Sequence, residues 1–217
     1  MPPHQSVDDA VARELAWLTP AFFLSGVAAL IYQVAWERAL YAIFGINIES
    51  VTVVVTAFLL GLGLGSLAGG WVSAHRGCRY LRWFGAAELA VSVFGVLSIP
   101  FYHSVGRLSL GLGPWGTGIV TFALVLVPTV LMGATLPLLV AYAVAVSGNV
   151  GWSVGTLYWV NTAGSALAAC LTVGILLPRL GLQRSVWVAA ACNAVVSIAA
   201  FVRGEYERGM GRLEIAA

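Results

Sequence analysis

The stretch Val51–Arg82, VTVVVTAFLLGLGLGSLAGGWVSAHRGCRYLR, decides the fold. From Val51 to Val72 it is uncharged and apolar, long enough for an α-helix to cross the ~30 Å hydrocarbon core of a bilayer. A short loop with His75, Arg76 and Arg79 follows, and Arg82 opens the next apolar run. Arginines beside a span mark the cytoplasmic side, so this loop orients the whole chain. Within the span, Gly61, Gly65 and Gly69 recur every four residues and bare one helix face. Helices in lipid join through such faces, because small residues let two backbones approach closely.

Composition supports the same class. Of 217 residues, 60% are hydrophobic and 9% charged, and mean hydropathy is +0.92. A soluble domain carries roughly 25% charged residues, so the chain is expected to be a polytopic membrane protein. All basic residues are Arg, and the net charge of +2 gives no case for nucleic acid. Cys78 lies in the loop, and Cys170 and Cys192 lie in apolar runs, which is no disulfide framework. Arginines around Cys78 could lower its thiol pKa, or it is an ordinary loop cysteine.

Outward from the deciding stretch, six spans are expected: Pro20–Phe44, Val51–Val72, Leu81–Tyr102, Gly118–Val146, Val154–Leu177 and Val186–Val202. Residues 1–19 read as a cytoplasmic segment with a short interfacial helix, 20–203 as the transmembrane domain and 204–217 as a cytoplasmic tail. Asp8, Asp9 and Glu14 stand where a secretory signal would carry basic residues. Thr19-Pro20 reads as an N-cap and first-turn proline. With the N-terminus inside, inner segments hold Arg13, Arg76, Arg79, Arg82, Arg203, Arg208 and Arg212. Outer segments hold Arg107, Arg179 and Arg184, so both termini are expected in the cytoplasm. Pro128 and Pro137 predict a kink or break in span 4, and Pro100 and Pro178 mark the ends of spans 3 and 5.

Few residues carry candidate chemistry. Gly63-Leu64-Gly65-Ser66-Leu67-Ala68 fits a dinucleotide fingerprint in letters, but that motif needs a strand before it and a phosphate-accessible turn. Inside a lipid-length helix it has neither. Span 1 carries Ser25, Ala29, Gln33 and Glu37 on one face, flanked by Tyr32 and Trp36. Lipid does not solvate such a stripe, so it should look into the bundle, as interhelical hydrogen bonding or as a polar lining. Glu88 lies seven residues past Leu81, roughly 10 Å into the membrane, where a carboxylate pairs or takes up a proton. Arg76 and Arg79 are its expected partners. Asn161, in span 5, needs a partner too. His4, His75 and His103 are scattered, so no metal site is expected and no cofactor. No acid/base pair or activated nucleophile is visible, so the chain is expected not to be an enzyme by itself.

Longer motifs add a resemblance. The loop Gly70-Trp71-Val72-Ser73-Ala74-His75-Arg76-Gly77-Cys78-Arg79 resembles the signature between the second and third helices of the major facilitator superfamily. Ala74 stands where that signature has Asp, and His75 where Arg is usual. In order, Ser25-Gly26-Val27-Ala28-Ala29-Leu30-Ile31-Tyr32-Gln33-Val34 with Trp36, Glu88, and Met132-Gly133-Ala134-Thr135-Leu136-Pro137-Leu138-Leu139 follow. Gly155-Thr156-Leu157-Tyr158, Asn161-Thr162-Ala163-Gly164, and Leu177-Pro178 with Gly181-Leu182 complete the pattern. Together these resemble the membrane domain of bacterial fused spermidine-synthase-like proteins, over about residues 20–203.

The resemblance implies an all-α, transporter-like bundle of six or seven helices, and the six spans expected here make it a six-helix bundle like half of a major facilitator transporter, in the bacterial inner membrane. It also implies a soluble aminopropyltransferase-like domain or partner, of which this sequence shows no Gly-rich cofactor loop and no acidic pocket. The expected role is to move a small polyamine-like cation, or to anchor a separate soluble synthase. Tyr32, Gln33, Glu37, Glu88 and Asn161 are the expected contacts. The alternative is a structural subunit of a larger membrane assembly with no ligand of its own. Besides the lipid bilayer, the expected partners are a second copy, paired through the Gln33 face, or other membrane subunits.

Overall fold

A computed structural model of the chain describes residues 15–45, 48–75, 77–109, 111 and 113–216, the side chains of 43, 44, 48–50, 109, 114 and 206–216 excepted. Most of the expected interfacial helix, and Arg13 and Arg76, lie outside what is described, and Arg208 and Arg212 are described in backbone only. The described chain is helical, with no strand among the described residues. Its helices are α1 (Leu18–Phe44), α2 (Ile48–Ser73), α3 (Tyr80–Ser109), α4 (Gly113–Ser147), α5 (Val150–Leu171) and α6 (Leu177–Ala216). A π-helical turn, Thr172–Leu176, joins α5 to α6 without a gap.

Five helical stretches are long and apolar enough to cross a membrane. Four are Leu18–Ala42, Val51–Ser73, Tyr80–Leu108 and Trp115–Ser147; the fifth is the run Val150–Glu205, of 56 residues. At 1.5 Å per residue that run would measure ~84 Å, far more than one crossing of a bilayer. Gly181 interrupts it, at φ 74 and ψ 178, a backbone region open almost solely to glycine. The side chains on either side show what the interruption does. Leu157 of α5 packs in one hydrophobic cluster with Leu18, Phe22, Leu81 and Phe84, while Ala168 joins a second with Ala28, Tyr32 and Val91. On α6 the order is reversed: Val186, Ala189 and Ala190 enter the second cluster, and Val196 and Ala200 the first. The chain therefore doubles back between α5 and the body of α6.

The glycine face of α2 meets α4. A Cβ at Gly65 would run into the backbone of Val130 and Gly133, one at Gly69 into Ala134, and one at Gly61 into Thr129. From the other side, a Cβ at Gly133 would strike Leu62. Of the kink or break expected at its prolines, α4 shows no break. Proline removes the hydrogen bond to the carbonyl four residues back. For Pro128 that carbonyl is Leu124 O, which accepts from the Tyr102 hydroxyl of α3 at 3.4 Å. For Pro137 it is Gly133 O, which accepts from Ser66 Oγ of α2 at 3.2 Å. Neighbouring hydroxyls satisfy both freed groups, and α4 stays helical from Gly113 to Ser147.

Two smaller expectations also change. α3 runs through Pro100 to Ser109, and Thr19 lies within α1 because the helix already begins at Leu18. At the end where α3 begins, Arg82 donates to Glu205 of α6 at 2.5 Å, a partly exposed pair worth at most about 1 kcal/mol. Beside it Cys78 is half-buried, and burial pushes its thiol up from the ordinary range, opposite to the lowering that its arginine neighbours would cause. With Cys170 and Cys192 replaced by alanine, alkylation of Cys78 should accordingly be slow at pH 7 and rise about tenfold per unit through pH 9. A rate already at its plateau at pH 7 would contradict this.

Candidate functional site

Between the two hydrophobic clusters lies a layer of polar side chains. On α1, Ser25 sits between Phe22 of one cluster and Ala28 of the other; on α3, Glu88 sits between Phe84 and Val91. Asn161 and Ser165 occupy the same interval on α5, between Leu157 and Ala168, and Asn193 occupies it on α6, between Ala190 and Val196. These residues surround a cavity of about 160 Å³, completed by Ala29 and Gln33 of α1, Phe58 and Leu62 of α2, and Met132 and Thr135 of α4. Every helix from α1 to α6 contributes to its wall.

Glu88 is the one ionisable group in that wall, and it is 2% exposed. Its Oε1 accepts from Ser25 Oγ at 2.6 Å. Its Oε2 is buried without a hydrogen-bond partner, and so is Oδ1 of Asn193. The expected pairing of Glu88 with Arg79 does not occur; Arg76 lies outside the described residues. Arg79 is nine residues earlier on the chain and exposed, and nine residues of helix rise ~13 Å. Serine hydroxyl, not guanidinium, meets the carboxylate.

The other expected contacts divide. Gln33 and Asn161 line the cavity with Glu88, and Asn161 lies against Gly26, whose missing side chain makes the room. Ser165 Oγ donates to Gly26 O at 3.0 Å and ties α5 to α1 at this level. Glu37 lies one turn beyond Gln33, outside the wall, and accepts from Gln33 Nε2 at 3.5 Å. Tyr32 is wholly buried in an aromatic stack rather than in the wall: its ring lies 4.7 Å from that of Trp36 and rests on Gly95. Trp36 Nε1 donates to Ser98 Oγ at 2.9 Å, which fixes the stack to α3. The Tyr32 hydroxyl is buried without a hydrogen-bond partner. Asn193 and Thr135 are cavity residues that reading the sequence missed. Asn193 carried the signal used for Asn161, an amide within an apolar run, and went unremarked. Among the described residues no three His, Cys, Asp or Glu side chains cluster as metal ligands would.

Fold and cavity define a class: a bundle of membrane-length helices with a carboxylate in a polar cavity between two apolar cores. The comparisons with known proteins point within that class. The chain is 29% identical over 215 residues to polyamine aminopropyltransferase 2 of Streptomyces coelicolor, a match covering 97% of this chain and 38% of the relative. It is 26% identical over 201 residues to polyamine aminopropyltransferase 1 of Ralstonia nicotianae, covering 91% of this chain and 37% of that protein. The chain thus spans less than two fifths of the length of the curated relatives it matches. No family model matches the chain, and no solved structure matches it.

Proposed function

We propose that this chain is the six-crossing membrane bundle of a spermidine-synthase-like protein, half of a major-facilitator-like transporter, that takes up a small polyamine-like cation in its cavity. The doubling back at Gly181 supports six crossings, with both termini on the cytoplasmic side of a bacterial inner membrane. One observation carries the ligand reading: a buried carboxylate with one oxygen unpartnered, in a cavity whose other polar groups are neutral. An ionised carboxylate withdrawn from water costs several kcal/mol unless a cation or a proton meets it. The chain's described arginines do not reach it, which leaves that role to a proton or to a ligand cation. The relatives' names supply the chemistry of that ligand, since polyamines carry ammonium groups.

Purified chain in liposomes should accumulate or retain labelled spermidine above empty liposomes. Retention equal to that of empty liposomes, over spermidine concentrations up to the millimolar range, would sink the reading. A second reading has support of its own, because the relatives carry more than half their length beyond the matched stretch. In that reading the bundle seats an aminopropyltransferase-like domain or partner at the end that bears Arg79 and Arg82. Co-purification of such a partner in mild detergent, with no spermidine retention by the chain alone, would favour it.

A further inference from the structure

We propose that Glu88 and Asn193 form a two-oxygen seat that holds either a primary ammonium or a proton, so that binding a cation releases one proton. The inference rests on the cation-binding reading above and gives it a coupling. Its basis is the register of α3 against α6. Ser92 Oγ donates to Ala190 O, and Ser197 Oγ donates to Gly85 O, both at 2.8 Å. These bonds run the two helices antiparallel and put Glu88 level with Asn193. Both residues line the one cavity, both are buried, and each keeps one oxygen without a partner. Both atoms are acceptors, so each lacks a donor.

Two species complete the seat. A proton on Glu88 Oε2 makes the acid a donor, and Asn193 Oδ1 can accept from it. An ammonium can donate one N–H to Oε2 and another to Oδ1, with the carboxylate ionised. The two exclude each other, because both occupy the space between the same oxygens. The exchange balances: the carboxylic acid O–H breaks, the proton leaves to water, and the incoming ammonium keeps all its own N–H bonds. A primary ammonium has the donors this seat needs, whereas a quaternary ammonium has none.

Other groups that could compete for the proton are few. From α1 the Tyr32 hydroxyl lies near enough to feel both Glu88 and the Cys192 thiol of α6 electrostatically. The wall residues from α2, α4 and α5 are Phe58, Leu62, Met132, Thr135, Asn161 and Ser165, none of which titrates. Glu37 stands outside the wall beyond Gln33, and Arg82 is engaged with Glu205 at the helix ends. Glu88 is therefore the group on which the proton is exchanged.

Calorimetric titration of the purified chain with 1,4-diaminobutane, in buffers of different ionisation enthalpy from pH 5 to 8, tests the exchange. On the acid side, where Glu88 holds its proton, the expected result is one proton released per amine bound and a Kd that rises about tenfold for each unit that pH falls; toward pH 8 both effects fade together. The hexamethylated bis-quaternary analogue, which has no N–H to donate, should bind at least tenfold more weakly. Asn193→Leu should weaken diamine binding at least tenfold yet keep the proton release, since Glu88 remains. Binding with a flat Kd and no proton release would overturn the exchange and leave the cation reading standing. Asn193→Leu binding as well as the unaltered chain, with an unchanged melting temperature, would overturn the two-oxygen seat. No diamine binding at any pH would remove the cation reading and the exchange with it.

Discussion

Replacing Gly65 by leucine is expected to prevent the bundle from assembling, whereas Gly63→Ala is expected to leave it intact. The two glycines are neighbours on α2, yet a Cβ at Gly63 meets nothing within 4 Å, while one at Gly65 lands on the backbone of Val130 and Gly133. Backbone cannot rotate aside as a side chain can, so α2 and α4 would have to separate. Overpacking by a few carbons costs ~1–3 kcal/mol, and forcing two helices apart also undoes the contacts of Gly61, Gly69 and Gly133. The total should exceed about 4 kcal/mol, enough to unfold a marginal domain. Separation would also free Gly133 O from Ser66 and leave a proline-exposed carbonyl unsatisfied in an apolar setting. Loss of a monodisperse peak in mild detergent is the readout. A Gly65→Leu protein that melts like the unaltered chain would mean that α2 and α4 do not pack as described.

Glu88→Gln is expected to lower spermidine affinity at least 100-fold, while Glu37→Gln changes it less than about threefold. Removing one partner of a buried ion pair costs ~3–5 kcal/mol, and each 1.4 kcal/mol is a factor of ten. Glutamine keeps the shape and the bond to Ser25, so the loss would come from charge rather than from collapse of the site. Glu37 sits outside the cavity wall, half-buried beside Gln33, and has no such leverage. Equilibrium binding of labelled spermidine to the three proteins decides between them. Equal loss in both variants would move the site toward the Glu37 end of α1; loss in neither would leave the cavity without a ligand.

Much of this architecture is legible in the residues, because lipid-length apolar runs and small-residue spacing act locally. The glycine series of α2 announces a close neighbour, and the stripe Ser25, Ala29, Gln33 and Glu37 announces an inward face; the structure puts the first three on the cavity and leaves Glu37 outside its wall. What sequence cannot display is which distant groups share a level. Glu88 meets Ser25 because α1 and α3 align there, not because an arginine lies nearby in the chain. The continuity of α4 has the same origin, since Tyr102 and Ser66 come from other helices to the carbonyls that its prolines expose. Tyr32 looks polar in the sequence, yet its ring is consumed by stacking on Trp36 over Gly95. The turn at Gly181 falls in the gap between the apolar runs that end at Leu177 and begin at Val186, and that the chain doubles back there follows from the cluster memberships of α5 and α6.

The most direct test of the cavity as a cation site is chemical modification of Glu88 itself. Apolar carbodiimides react with carboxylic acids that lie in membrane-embedded, water-poor surroundings, and mass spectrometry locates the adduct. An adduct is expected on Glu88, suppressed by saturating spermidine and absent from Glu88→Gln. An adduct that forms at the same rate with and without spermidine would contradict the cation site.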